Sequence, residues 1–228
     1  MNHKESMEQK SALLIGASGL VGRHCLQCLL NEPIYKRIVV IVRTPILITH
    51  EKLVQHVIDF DDLGTLGEIF IADDVYCCLG TTIKKAGTQE AFRKVDYDYP
   101  VKVAALTQHC GANQFLLVSS LGANSHSGIF YNRVKGEVED AIRKIPFTAF
   151  HVFRPSLLLG ERKEYRTGEK VSAVVMEGLK YALGGPLKKY RAIQAHDVAK
   201  AMVRVAQMDL QGVNIFDSQR IQEIADKR

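Results

Sequence analysis

No tryptophan occurs in this sequence, only six prolines interrupt it, and aromatic residues account for 7% of its 228 positions. The prolines and the 17 glycines are dispersed without a low-complexity tract, which excludes collagen-like, disordered and repeat architectures. Long apolar runs are missing too. None approaches a membrane span, and the first ten residues, Met1 to Lys10, lack the apolar centre of a secretory signal. Disulfide frameworks find little material, because the five cysteines are odd in number and include the neighbours Cys77 and Cys78. Cys25 and Cys28 are spaced like a metal or redox pair, yet no second Cys/His pair matches them, so helix packing is expected. These absences predict a soluble, cytoplasmic protein with reduced thiols and no membrane partner. A concentrated charge run is also absent. The net charge of +5 is spread over short pairs such as Lys84-Lys85 and Lys188-Lys189, so no nucleic-acid partner is expected.

What is present is ordinary globular material, 46% hydrophobic and 24% charged, enough for one sizeable core over residues 1–228. Residues 11–15, 37–42, 55–58, 75–79, 114–119 and 148–153 read as strands. Residues 23–30, 99–110 and 131–144 read as helices between them. Strands alternating with helices predict an α/β protein with a doubly wound parallel sheet, helices covering both faces. After Arg154-Pro155 the pattern loosens, so residues 155–195 are expected to form a small substrate-side lobe containing one helix. Asp197 reads as the N-cap of a last clear helix before a strand at 213–216.

Gly16, Gly19 and Gly22 follow the first predicted strand and open the first predicted helix. In that setting the three glycines allow, in turn, a tight turn, backbone approach to a pyrophosphate, and close helix packing at an N-terminus whose amides favour anions. About twenty residues further on, where an acidic side chain would accept from an adenosine ribose, the chain reads Ile41-Val42-Arg43-Thr44. Arginine there suits the 2′-phosphate of NADP, with Arg23 as a second cation at the helix start.

The helix from Tyr131 gathers Tyr131, Val134, Lys135, Val138, Ala141, Ile142 and Ile145 on one stripe at 100° per residue. Lys135 is therefore a charge on the apolar side, one turn from a phenol, which predicts two polar groups converging on a site; a lysine snorkelling at the edge of the stripe is the other reading. Val118-Ser119-Ser120-Leu121-Gly122 ends a strand shortly before, at the carboxyl edge of the sheet where open α/β folds bind ligands.

With these residues in view the chain resembles the short-chain dehydrogenase/reductase superfamily. It is most similar to the atypical branch of the HIV Tat-interactive protein. The likeness rests on Gly16-Ala17-Ser18-Gly19, Cys77-Cys78-Leu79-Gly80-Thr81-Thr82, Val118-Ser119-Ser120-x-Gly122-Ala123, Tyr131-x-x-x-Lys135, Val134-Lys135-Gly136-Glu137-Val138-Glu139, Phe153-Arg154-Pro155 and His196-Asp197-Val198-Ala199. It implies a Rossmann, NAD(P)-binding fold. By this resemblance Ser18, Gly19, Leu20, Val21, Arg43, Thr44, Leu79 and Gly80 would surround the dinucleotide, Asp59 and Phe60 would lie near its adenine, and Leu158 and Arg166 would approach from the segment after the sixth strand.

The resemblance also implies NADPH-dependent reduction of a small carbonyl substrate, or its reverse. Tyr131 would be the proton donor and Ser120 the hydroxyl on the substrate oxygen, while Lys135 would stabilise the phenolate and hold the nicotinamide ribose. Ser120 is preferred to Ser119 because it directly precedes the Leu121-Gly122 turn, and alternation along the strand points the two oppositely. An NADPH-sensing regulatory protein with a protein partner and little turnover is the alternative. A homodimer is compatible with either. One departure stands out: where related reductases carry an asparagine for proton relay, this chain reads Val95-Asp96-Tyr97-Asp98-Tyr99. No metal is expected, since His24, His109, His126 and His151 lack ligand spacing and Asp59, Asp61 and Asp62 lack a calcium-loop pattern. His196 reads as a surface residue beside a helix cap.

Overall fold

The computed structural model describes residues 9–65, 67–160 and 190–227. Its strands are β1 (Lys10–Ile15), β2 (Tyr35–Val42), β3 (Leu53–Val57), β4 (Asp74–Cys77), β5 (Gln114–Val118), β6 (Ala149–Arg154), β7 (Leu158–Leu159), β8 (Ile193–Gln194) and β9 (Gly212–Asp217). The helices are α1 (Leu20–Asn31), α2 (Ile83–Ala86), α3 (Gln89–Arg93), α4 (Tyr99–His109), α5 (Phe130–Arg143), α6 (Ala195–Val205) and α7 (Ser218–Asp226). Between α3 and α4 the chain makes a π turn, Lys94–Asp98, and two 3₁₀ turns, Phe60–Thr65 and Gly67–Phe70, follow β3.

Seven strands pair in parallel in the order β3-β2-β1-β4-β5-β6-β9. Strands rich in Val, Ile and Leu suit this arrangement because both faces of the sheet are covered. Alternate side chains go to opposite sides. Leu14, Val40, Leu116 and Phe153 pack with α1, α6 and α7, while Leu13, Val39, Phe115 and Val152 pack with α4, α5 and the 3₁₀ turns. Burying each such side chain stabilises the fold by roughly 1.5–3 kcal/mol. The chain winds outward from β1 through β3, then returns to lay β4 on the other side of β1. That reversal opens a crevice at the carboxyl ends of β1 and β4, the place where such sheets bind ligands.

The expected doubly wound sheet is therefore present, with ends of elements shifted by a few residues. One boundary differs for a clear reason. Helix α6 starts at Ala195, with Gln194 extended ahead of it, so Asp197 lies in the first turn and is not the cap. The parallel β7–β8 pair brings the chain to the helix three residues early, with Ile193 N–H bonded to the Leu157 carbonyl at 3.0 Å. Helix α7 was not anticipated. Asp217 caps it through Arg220 N–H at 2.9 Å. Of the expected substrate-side lobe, residues 161–189 lie outside the described residues, and with them Arg166 and the helix expected there. No helix among the described residues is long and apolar enough to cross a membrane.

Candidate active site

The glycine turn is built by steric need. Gly16 has φ +82°, and a Cβ on it would lie 2.5 Å from the Cys78 carbonyl carbon and oxygen. A Cβ on Gly22 would lie 2.0 Å from the Gly16 carbonyl oxygen, which fixes how tightly α1 sits on the turn. Gly19 differs: its Cβ would meet only the Gly16 oxygen at 3.2 Å and the Cys78 oxygen at 3.8 Å. Packing within the protein demands glycine at 16 and 22, whereas at 19 it leaves an open approach to the backbone. Gly19 also stands at the N-cap of α1 with no capping side chain, and the first turn holds no acidic residue. Open first-turn amides of this kind suit an anion.

Around that turn the structure gathers most of the expected nucleotide contacts. Ser18 is exposed, Leu20 is half-buried, and Leu79 and Gly80 follow β4 at the crevice. Arg43 and Thr44 are exposed just after β2. Leu158 is half-buried in β7, near Gly160, whose added Cβ would lie 2.9 Å from Leu20 Cδ1. Two side chains belong to the core instead. Val21 packs with α6, and Phe60 is buried with its ring centroid 5.2 Å from that of Tyr99. Asp59 is exposed and accepts from Asp61 N–H at 3.0 Å.

Ser120 and Tyr131 come together beyond the end of β5. A cavity of about 390 Å³ is lined by Ser120, Leu121, Gly122, Tyr131, Asn132, Pro155 and Ser156. The Ser120 hydroxyl is buried there without a hydrogen-bond partner among the described residues. Tyr131 opens on the same cavity, its ring centroid 5.6 Å from that of Phe92. Ser119 turns the other way: its hydroxyl donates to Glu139, a buried carboxylate that Arg154 Nε also reaches at 3.1 and 3.2 Å. Helix α5 can lie this close because Gly136 faces the chain at Asn124-Ser125, where an added Cβ would come within 2.1 Å of Ser125 N.

Lys135 is buried, and its Nζ lies 2.8 Å from Asp96 Oδ1. Burial by itself pushes the ammonium down, but the Asp96 carboxylate, with Tyr131 and Cys77 nearby, outweighs it and holds Lys135 well above the ordinary lysine value. The other Asp96 oxygen accepts from Thr81 N–H at 2.8 Å, and a Cβ on Gly80 would sit 3.8 Å from Lys135 Nζ. The ammonium thus stands beside the loop after β4.

Asp96, Asn132 and Ser156 carried no expected role in the sequence, and Glu139 entered only as part of the Val134–Glu139 motif. For Asp96 a signal existed, since it lies in Val95–Tyr99, the segment that departs from the relay asparagine of related reductases. Other candidates fall away. Cys25 is buried and Cys28 half-buried between α1 and α6, where burial pushes both thiols up, in keeping with helix packing. Asp61 is occupied by Lys94 Nζ at 2.7 Å and the Tyr99 hydroxyl at 3.0 Å. His196 is exposed, edge-on to His24 with ring centroids 5.7 Å apart.

Residues 12–216 match the NAD dependent epimerase/dehydratase family. Protein HTATIP2 of Rattus norvegicus is 39% identical over 167 residues, covering 72% of this chain and 69% of that protein. The mitochondrial protein FMP52 of Candida albicans is 34% identical over 209 residues, covering 89% and 90%. Among solved structures, UDP-glucose 4-epimerase of Thermotoga maritima superposes with a TM-score of 0.67 at 14% identity, covering 96% of this chain and 84% of that one. The human epimerase family protein SDR39U1 with NADPH superposes at 0.60 and 16% identity, covering 91% and 74%. The expectation of a cytoplasmic protein does not survive: several relatives at 31–34% identity, from Candida albicans, Emericella nidulans and Aspergillus, are named mitochondrial proteins. Composition and an N-terminus without an apolar segment carry no address that distinguishes the two compartments. Fold, glycine turn and relatives agree, and the chain belongs to the NAD dependent epimerase/dehydratase family, in its atypical short-chain dehydrogenase/reductase branch with HTATIP2.

Proposed function

We propose that this protein is an NADPH-dependent oxidoreductase that reduces a small carbonyl compound, or oxidises the corresponding alcohol. The observation that carries the reading is the buried, unpartnered hydroxyl of Ser120, which shares a cavity with Tyr131. A buried hydroxyl without a partner costs free energy, and a substrate oxygen in the cavity would satisfy it.

Gly16, Gly19 and Gly22 would hold the pyrophosphate at the N-terminus of α1, with Ser18, Leu20 and Val21 beside it. Arg43 and Thr44 would take the 2′-phosphate, Asp59 and Phe60 would border the adenine, and Leu79, Gly80 and Leu158 would line the remainder. When bound, the dinucleotide supplies or accepts the hydride. Tyr131 gives its phenolic proton to the substrate oxygen in reduction and takes it back in oxidation. Ser120 donates a hydrogen bond to the same oxygen and orients it. Lys135 offers its ammonium to the nicotinamide ribose hydroxyls and to the phenol oxygen.

A second reading, an NADPH-responsive protein that engages a protein partner with little turnover, is favoured by the ion pair of Lys135 with Asp96. The experiment that separates them screens aldehydes, ketones and quinones for oxidation of protein-bound NADPH. The oxidoreductase reading expects turnover that Tyr131→Phe reduces by roughly 10²- to 10⁴-fold with NADPH binding retained. Binding without turnover across the panel, or full turnover in Tyr131→Phe, contradicts it.

A further inference from the structure

Asp96 is buried where the loop after β4, helix α5 and the π turn Lys94–Asp98 come together. Its exposure is 1% and that of Lys135 is 4%, so neither charge is relieved by bulk water. A buried ammonium or carboxylate alone is strongly unfavourable, and only close pairing with further hydrogen bonds makes either tolerable. Asp96 meets both conditions, with Lys135 Nζ at 2.8 Å from one oxygen and Thr81 N–H at 2.8 Å from the other. The π turn places it there, since an extra residue in a helical turn re-aims the side chains it carries, a device common at functional sites.

The groups facing Lys135 are Asp96 from the π turn, Tyr131 one turn back on α5, and Cys77 at the end of β4. Asp96 is the only carboxylate among them. We propose that Asp96 is the positioning residue for Lys135: it moors the ammonium beside Gly80 and Tyr131 and cancels most of its charge, so that the phenol faces an ion pair in place of a free cation. The proposal rests on the reading of Tyr131 and Lys135 given above. The field of a close pair decays faster with distance than that of a single charge. Asp96 therefore sets both where the ammonium sits and how strongly it acts on its neighbours.

The test needs neither cofactor nor substrate. The side-chain nitrogen of Lys135 is followed by NMR in lysine-labelled protein through a pH titration, its resonance assigned by its loss in Lys135→Arg. In the wild type the ammonium stays protonated beyond the range in which a free lysine titrates. In Asp96→Asn burial acts unopposed, and the midpoint falls by about one pH unit or more. An unchanged midpoint overturns the proposal. If Asp96→Asn does not fold, the wild type alone decides: a Lys135 that titrates at or below the free-lysine midpoint overturns the proposal, and one that stays protonated beyond it sustains it. Full turnover in Tyr131→Phe would defeat the oxidoreductase reading while leaving the Lys135 titration to be judged separately.

Discussion

Ser119 and Ser120 are consecutive, yet their hydroxyls serve opposite sides of the end of β5: Ser119 donates to the buried Glu139 carboxylate, and Ser120 opens on the Tyr131 cavity without a partner among the described residues. Their alanine variants are expected to fail differently. Ser119→Ala removes a hydrogen bond to a buried charge and is expected to lower stability by about 1.5–3 kcal/mol. Ser120→Ala removes a buried hydroxyl that has no partner among the described residues, so the unfolding midpoint holds or rises, while carbonyl turnover falls on the order of 10²-fold. Chemical denaturation and steady-state rates on both variants check this, and a reversed pattern would put the wrong serine at the reacting oxygen.

The glycines of the first turn divide in the same way. Gly22→Ala forces a Cβ to within 2.0 Å of the Gly16 oxygen, so α1 must move, at a cost of roughly 1–3 kcal/mol. Gly19→Ala has the Gly16 oxygen at 3.2 Å and the Cys78 oxygen at 3.8 Å to accommodate, so the free protein's thermal midpoint moves far less than in Gly22→Ala while the pyrophosphate loses its approach. Thermal unfolding with and without NADPH measures both effects. Loss of nucleotide-induced stabilisation in Gly19→Ala, with an unliganded midpoint well above that of Gly22→Ala, is the expected outcome.

Arg43 stands exposed at the carboxyl end of β2, the position from which a cation can reach an adenosine 2′-phosphate. Arg43→Asp is expected to weaken NADPH roughly tenfold or more, the scale of a lost charge-assisted hydrogen bond, and to affect NADH little. Fluorescence titration with both nucleotides checks it. Equal loss for the two would remove Arg43 from the account.

His151, in β6, is wholly buried with neither ring nitrogen partnered among the described residues, and burial pushes it down to about 4. Unfolded, the ring takes up its proton near pH ~6.5. Between those two values the unfolded chain holds more protons, so the contribution of the neutral ring is complete above the higher value and is lost as pH falls towards the lower. The full swing is on the order of 3 kcal/mol. Denaturant midpoints at about pH 5 and about pH 7 should separate in the wild type and converge in His151→Leu. An equal separation in the variant would assign acid sensitivity elsewhere.

Much of this architecture was legible because its signals are local. The Val/Ile run of residues 38–42, the glycines at 16, 19 and 22, and the four-residue step from Tyr131 to Lys135 each lie within one element or one turn. What escaped depends on residues distant in the chain. Asp96 matters because the π turn carries it to Lys135, a contact no periodicity in either segment announces. Glu139 lay outside the stripe of Val134, Val138 and Ile142, yet it is buried because Arg154, one strand away, reaches it. Asp197 has the chemistry of a cap, but the β7–β8 pairing that starts α6 at Ala195 is a tertiary event. The cytoplasmic expectation failed because composition constrains solubility, not address.

The most direct measurement is a structure determined with NADPH bound. The account predicts phosphates on the Gly16–Gly22 turn and the nicotinamide over the cavity, its reactive carbon beside Tyr131 and Ser120 and its ribose hydroxyls at Lys135. A nucleotide whose nicotinamide turns away from Tyr131, or whose phosphates sit elsewhere, would contradict it.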